Sequence, residues 1–339
     1  MLIECCVFSK RKTNEMADAH QPSGMRFRMS LPATSANLGP AFDAAALAFN
    51  FGLGVEAVPA AEFSIEAQGR NAEQCGKMPG NLIVDTYKRL LEREGVTVTP
   101  LAIRLDNDIP LGMGCGSSAA AVLASVAMAA WFGGLEWDGD RIVSEASACE
   151  GHPDNVAACW HGGVVLARTP SAAQKDRVPG VSVHPIPVAV EWPLLLAIPE
   201  NPLATSEARR VLPRLYSRVD LIHNVQSAML LVLAFSQGRG EWLSEALSDR
   251  VHHPYRAQLC PLLPALSVLS GAEGINGVAL SGAGPSVLMF LEEDVDREEL
   301  VARVSTHLAE RGMNAELRFT TISSAGAKDT YPVSAAAVR

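Results

Sequence analysis

The chain has 339 residues, of which 48% are apolar and 19% charged, with a formal net charge of −9. That length exceeds one small core and predicts two domains of about 150 residues each. The acidic balance, with Lys10 to Lys12 as its basic run, argues against a nucleic-acid binder, and no stretch reaches the ~18 consecutive apolar residues of a membrane span.

Residues 1–24 mix charge, Pro and Ser without periodicity and predict a disordered tail, with Met25 as a plausible alternative start. Met25–Leu31 alternates and predicts a strand, and 32–43 predicts a loop. Ala44–Phe51 fits a strand or a short helix. Val55–Ala57, Phe63–Ala67 and Leu101–Leu105 predict strands. Asn81–Glu94 predicts a helix with Leu82, Ile83, Tyr87 and Leu90 on its apolar side. Ser117–Trp131 predicts an Ala-rich, closely packed helix, and Asp138–Ala148 another. Gly162 and Gly163 open a strand at Val164–Ala167. The polar stretch Ser171–Gly180 predicts a boundary between an N-terminal domain over 25–175 and a C-terminal domain over 176–330. Beyond it, Leu194–Ile198, Val278–Leu280, Val287–Leu291 and Ala315–Thr321 predict strands. Val219–Phe235, Glu241–Leu247 and Glu298–Arg311 predict helices. Hairpin-like strands mixed with helices predict an α+β fold of two layers rather than a parallel doubly wound sheet.

The seven cysteines, Cys5, Cys6, Cys75, Cys115, Cys149, Cys159 and Cys260, are odd in number and form no CxxC pair. They predict reduced thiols in a cytoplasmic protein and no zinc site.

One segment points to chemistry. Pro110, Leu111, Gly112, Met113, Gly114, Cys115, Gly116, Ser117, Ser118 and Ala119 place glycines at alternate positions before a helix. Glycine leaves backbone N–H groups unshielded and permits positive φ, and a serine at the helix start suits capping. Donors and dipole converge there on an anion, so the segment is a candidate phosphate site. A tight loop before a packed helix is the plainer alternative. A P-loop would need a lysine after the last glycine, and none follows Gly116. The G-x-G-x-G spacing also departs from the G-x-G-x-x-G of dinucleotide folds.

Three short motifs occur in order: Pro32-Ala-Thr-Ser-Ala-Asn-Leu-Gly-Pro-Ala-Phe-Asp43, then Pro110 to Ala120, then Leu280-Ser-Gly-Ala-Gly-Pro-Ser286. With them, residues 26–325 resemble the GHMP small-molecule kinases, the superfamily of galactokinase, homoserine kinase, mevalonate kinase and phosphomevalonate kinase. Glu150-Gly-His-Pro-Asp-Asn155, Thr205-Ser-Glu-Ala-Arg209 with Leu212-Pro213, and Asp249 to Arg256 place the likeness in its homoserine kinase branch. Cys115 stands where the family usually has leucine, and Ala41 where glycine is common. The resemblance implies a ribosomal-protein-S5-domain-2-like α/β domain followed by a ferredoxin-like α+β domain. It implies transfer of the γ-phosphoryl of ATP to L-homoserine, with Mg²⁺, in threonine biosynthesis, by a cytoplasmic homodimer. Two alternatives remain. One is a sister kinase for mevalonate, a diphosphocytidyl-methylerythritol or a sugar. The other is a regulatory relative without activity, although the glycine loop and Glu150 are both retained.

The resemblance also assigns roles. Gly112, Gly114 and Gly116 bring amides to the triphosphate. Ser117 and Ser118 contact phosphate or metal, or else cap the helix. Glu150 with Ser118 holds Mg²⁺, which prefers oxygen ligands; otherwise it is a solvated carboxylate. Asn155 binds substrate, and Asp154 is a base, an ammonium partner or a loop cap. Asn37 orients substrate or caps its own backbone, and Asp43 grips the substrate amine. Arg209 and Arg256 face a carboxylate, which arginine can grip bidentately, or a phosphate, or else form surface salt bridges. Thr205 shares a helix face with Arg209 if the segment is helical.

Overall fold

The structure is a computed structural model that describes residues 25–169, 178, 180–272 and 274–332. The expected tail at 1–24 and most of the expected boundary at 171–180 lie outside these residues.

The first layer is a sheet of order β3-β4-β2-β5-β6, with β1 paired to β2. β1 (Phe27–Ala36) buries Phe27, Met29 and Leu31 and turns Arg28 and Ser30 outward, the period of a half-buried strand. It runs antiparallel to the long β2 (Ala45–Pro59), with a register shift between Pro32 and Thr34. The loop expected from residue 32 therefore begins only after Ala36. Small Ala33 and Ala36 fit the core there, while Thr34 and Ser35 find partners on other loops. Ala44–Phe51, ambiguous by periodicity, is strand because β1 and β5 pair with it from either side.

β3 (Ser64–Gly69) leads through a short turn of helix, α1 (Ala72–Cys75), to α2 (Leu82–Arg93) and β4 (Leu101–Asn107), which is parallel to β3. Asn81 caps α2, accepting from the Ile83 N–H. Ile83, Tyr87, Leu90 and Leu91 form its buried stripe. Leu82, expected on that side, lies one position off the stripe and is exposed. α3 (Ser117–Phe132) is apolar on every side and almost wholly buried, as expected of a helix inside a layer. α4 (Gly139–Glu150) and α5 (Asp154–His161) pack against it. α5 has no counterpart among the sequence-based expectations. Its eight residues lie between Pro153 and Gly162, too short for a readable period.

β5 (Val164–Arg168) pairs with β6 (Ser182–Ile186). The first sheet thus reaches past the expected boundary to Ile186.

The second layer is antiparallel and reads β-α-β-β-α-β. β7 (Leu194–Ile198) is followed by α6 (Thr205–Arg210), α7 (Arg218–Gln237), α8 (Leu243–Ala246), α9 (His253–Arg256) and α10 (Leu262–Ser267). β8 (Ile275–Leu280), β9 (Val287–Leu291), α11 (Arg297–Ala309) and β10 (Glu316–Thr320) complete it. The strand order β10-β7-β9-β8 is that of a split βαβ, ferredoxin-like sheet. The helix expected at Glu241–Leu247 is a 3₁₀ turn at Gly240–Trp242 continued by α8.

β7 joins the layers by simple alternation. Leu194, Leu196 and Ile198 face the first core, while Leu195 and Ala197 face the second, against Val304 and Leu308. The chain after β10 returns to the first layer. Ser323 donates to Ala48 O, and Thr330 Oγ1 accepts from the Ser30 N–H at 2.9 Å. Residues 321–332 therefore pack with the N-terminal layer rather than with the C-terminal domain in which 176–330 were placed.

Candidate active site

All three motifs meet in one cleft of about 220 Å³ between the layers. Gly112, Gly114 and Gly116 have φ of 70°, 74° and 70°. Two of them are held where no side chain fits. A Cβ on Gly114 would lie 2.2 Å from Ser281 O, and one on Gly116 1.9 Å from Thr34 Oγ1. The loop is tied to the other motifs by Thr34 N to Cys115 O (3.1 Å) and Ser281 Oγ to Gly114 O (2.8 Å). Leu203 N donates to Gly112 O at 2.9 Å. Gly116 itself is the N-cap of α3, in the left-handed region, so neither serine caps the helix as expected. Ser117 and Ser118 are its first two residues, and their amides and hydroxyls border the cleft. Burial pushes the Cys115 thiol up to about 12, so it packs beneath the loop as an inert apolar group.

Ser118 Oγ donates to Glu150 Oε2 at 2.9 Å. Glu150 ends α4, where Gly151 in the left-handed region turns the chain toward the cleft. Among the described residues no lysine, arginine or histidine pairs with Glu150. One hydroxyl beside one unpaired carboxylate is an oxygen set that fits Mg²⁺.

At the start of α5, Asp154 Oδ1 accepts from the Asn155 N–H at 2.7 Å and lies 2.8 Å from His152 Nδ1. Burial draws His152 down, but the hydrogen bond and charge of Asp154 outweigh it and hold the imidazole above its ordinary value. Asn155 Oδ1 accepts from Thr34 Oγ1 at 2.7 Å, which fixes the amide plane. Both residues are buried and line the cleft.

Two arginines line the same cleft as the glycine loop. Arg209 on α6 forms a two-bond pair with Asp43, at 2.5 and 3.0 Å. Burial alone would lower its pKa, but Asp43 raises it. Arg256 on α9 is 1% exposed. It donates to Ala208 O, Gly282 O and His252 Nδ1, and lies over the Phe42 ring at 5.4 Å. Burial, then the charge of Arg209, pull its pKa below the usual value. Arg256, buried and with no carboxylate partner among the described residues, departs from the surface salt bridge that stood as the alternative, whereas Arg209 forms a partly exposed salt bridge with Asp43. Thr205, in the same short helix as Arg209, also borders the cleft.

Asn37 uses both ends of its amide. Oδ1 accepts from Asp43 N at 3.0 Å and Nδ2 donates to Gly282 O at 2.8 Å, so it clamps the first motif to the third while lining the cleft. Of the ten nucleotide candidates, Ala119 is fully buried beneath the loop. Pro110, Leu111 and Met113 line a second cleft on the far side of the loop, of about 460 Å³, bordered by Arg70, Asn71 and Glu316. The structure adds Thr34 and the Gly282–Ala283 turn to the expected set. Thr34 lies inside the first motif, but its link to Asn155 spans 121 positions and leaves no local signal.

Asp249, His252 and His253 also cluster closely enough to suggest a cation. Their ligand atoms are already engaged. Asp249 accepts from Asn224 and from the amides of residues 251–253. His252 bonds Gly39 O and Arg256, and His253 Nε2 accepts from Leu280 N. The cluster is a hydrogen-bonded support for Arg256.

The two-layer fold with its glycine-lined cleft is that of the GHMP small-molecule kinases, and the family model "GHMP kinases N terminal domain" matches residues 81–163. The homoserine kinase of Solibacter usitatus is 40% identical over 288 residues, 84% of this chain and 92% of its own. That of a Synechocystis strain is 36% identical over 312 residues, 90% and 98% of the two chains. The crystal structure of homoserine kinase from Cytophaga hutchinsonii has the same fold, with a TM-score of 0.70 at 23% identity over 91% of this chain and 99% of that one. The chain belongs to the homoserine kinase family.

Proposed function

We propose that the protein transfers the γ-phosphoryl group of ATP to the side-chain hydroxyl of L-homoserine, giving O-phospho-L-homoserine for threonine synthesis. The observation that carries this reading is that Gly112, Gly114, Gly116, Ser117 and Ser118 line one cleft together with Arg209 and Arg256. A wall of bare amides suited to phosphate shares that cleft with a wall suited to an amino-acid carboxylate. The nucleoside end of ATP would lie toward Pro110, Leu111 and Met113 in the second cleft. Ser118 and Glu150 would hold Mg²⁺, which when bound offsets charge on the transferring phosphoryl group.

The chain's own groups then divide the work. Arg209 and Arg256 grip the carboxylate, and Asp43 takes the ammonium within reach of the same arginine. Thr34 holds Asn155 Oδ1, which leaves the amide Nδ2 to orient the substrate hydroxyl. That oxygen forms a bond to the γ-phosphorus as the bond to the β-bridging oxygen breaks, and its proton passes to a phosphoryl oxygen. Such a transfer depends on positioning and charge more than on a strong base. Asp154 accordingly accepts from the Asn155 N–H in the first turn of α5 and partners His152. A homodimer in the cytoplasm is the setting we infer.

A coupled ADP-release assay against homoserine, mevalonate, galactose and shikimate tests the reading. Turnover with homoserine alone is expected. Turnover with another member of the panel, or with none, overturns it.

A further inference from the structure

Phe42, the neighbour of Asp43 in the first motif, does not line the cleft, yet both cleft arginines meet its ring. The guanidinium carbons of Arg209 and Arg256 each lie over that ring, 5.4 Å from its centroid. The His252 ring packs against it too, at 5.3 Å. One half-buried aromatic side chain thus gathers two like charges. The backbone beside it is fixed: Asp43 stands at a φ of 54°, with its N–H held by Asn37 Oδ1 at 3.0 Å.

Two guanidinium groups at one end of a cleft repel each other. Asp43 compensates Arg209 through two hydrogen bonds. Arg256 is buried and has no carboxylate within ion-pair distance among the described residues. Burial, and then the charge of Arg209, disfavours its charged form. Three bonds to neutral acceptors offset this, from Nε to Ala208 O and from Nη1 to His252 Nδ1 and Gly282 O. The remaining support is the face of Phe42. An aromatic face attracts a cation through its quadrupole, most strongly where water is excluded.

The kind of support matters for binding. A second carboxylate here would occupy the N–H donors, which point outward in the guanidinium plane. A ring meets the flat face and leaves those donors alone. Arg256 Nη2 has no hydrogen-bond partner among the described residues, and neither has Arg209 Nε. We propose that Phe42 is a positioning residue for the amino-acid carboxylate, its ring holding the guanidinium groups of Arg209 and Arg256 together while their free donors await the ligand. This rests on the reading of the cleft as an amino-acid kinase site. Since Nε and Nη1 of Arg256 are bound within the protein, Nη2 is its one nitrogen left for substrate. The carboxylate then takes one arginine on each oxygen, rather than both oxygens on one fork.

The plainer role for an aromatic at this position is packing, and ring electronics separate the two. Singly, doubly and triply fluorinated phenylalanine at position 42 keep the ring's shape while withdrawing electron density from its face. The KM for homoserine is expected to rise stepwise, to about 10-fold for the triply fluorinated ring, with kcat and the KM for ATP unchanged. Phe42→Leu, which removes the face, should raise the same KM at least as far. The carboxamide of homoserine, which has no anionic carboxyl group, should inhibit the wild type and the fluorinated forms alike. A KM indifferent to fluorination, or a carboxamide that weakens in step with homoserine, overturns the proposal and leaves the kinase reading standing. A wild type that turns over no homoserine overturns that reading, and the proposal with it.

Discussion

The two walls of the cleft are built in opposite ways. On the side proposed for phosphate the groups on offer are backbone amides, bare because side chains are missing at Gly112, Gly114 and Gly116. On the side proposed for the amino acid the groups on offer are long side chains, held mostly by partners from distant positions. Asp43 holds Arg209; Ala208 O, Gly282 O and His252 hold Arg256. One wall is therefore broken by adding an atom and the other by removing some. Binding of the two substrates should fail separately, and the variants below are chosen to show where that separation ends.

The largest effect is expected from Gly116→Ala. Its methyl would meet Thr34 Oγ1 at 1.9 Å, at a φ of 70° that costs a non-glycine residue about 1–2 kcal/mol. We expect kcat/KM to fall more than 100-fold, and thermal melts to show lost stability. Because the clash also displaces the Thr34 hydroxyl from Asn155, this is the substitution that damages both walls. Steady-state kinetics with each substrate varied in turn checks this. Loss confined to the KM for ATP would show that the walls are independent even at their junction.

Glu150→Ala should come next, with Mg²⁺-dependent turnover reduced about 100-fold and the KM for homoserine little changed, since Glu150 stands on the phosphate side. Near-normal rates at ordinary Mg²⁺ would remove it as a ligand. Arg256→Ala should raise the KM for homoserine by a similar factor. It also removes the donor to Ala208 O, at about 1–3 kcal/mol of stability for a buried unpaired group, while Gly282 O keeps its bond from Asn37. Arg256→Lys should not rescue it, because an ammonium cannot reproduce the planar fork. Arg209→Ala should raise the same KM about 10- to 100-fold with the KM for ATP unchanged. The Arg209–Asp43 pair is about one-third exposed, so its loss should change stability by no more than ~1 kcal/mol. The two arginines would then be told apart by melting temperature rather than by KM.

The same contrast explains what could be read in advance. The phosphate wall was legible because it is local. Alternating glycines before an Ala-rich helix announce bare amides and tight packing within a dozen residues. Strands such as Leu194–Ile198 and Val287–Leu291 were legible to the residue because alternate faces of one run bury in two cores. The amino-acid wall was named by motif, but its couplings were not. Nothing near Arg209 in sequence indicates Asp43, 166 positions away, and nothing near Asn155 indicates Thr34. Local rules also misled where tertiary pairing overrode them. Residues 32–36, expected to belong to the loop over 32–43, are strand, and the serine expected to cap α3 gave way to Gly116.

The smallest effect at neutral pH belongs to the support beneath Arg256. Burial, reinforced by neighbouring positive charge, draws His252 down to about 3 and His253 down to about 4, so both rings are neutral in the folded protein. An unfolded histidine titrates near 6.5. Above that value neither state binds the protons and stability is flat with pH. Below it the unfolded chain takes up protons that the folded chain refuses. Stability should then fall by up to about 1.4 kcal/mol per pH unit for each ring, down to the folded values. His152 has the opposite sign. Its raised pKa adds stability that is fully present below about 6.5 and is lost as pH rises through the folded value. Urea melts from pH 8 to pH 4 should therefore show a plateau with an acid limb, and His253→Gln should make that limb shallower. An unchanged limb in this variant would remove the buried imidazoles beneath Arg256 as its source.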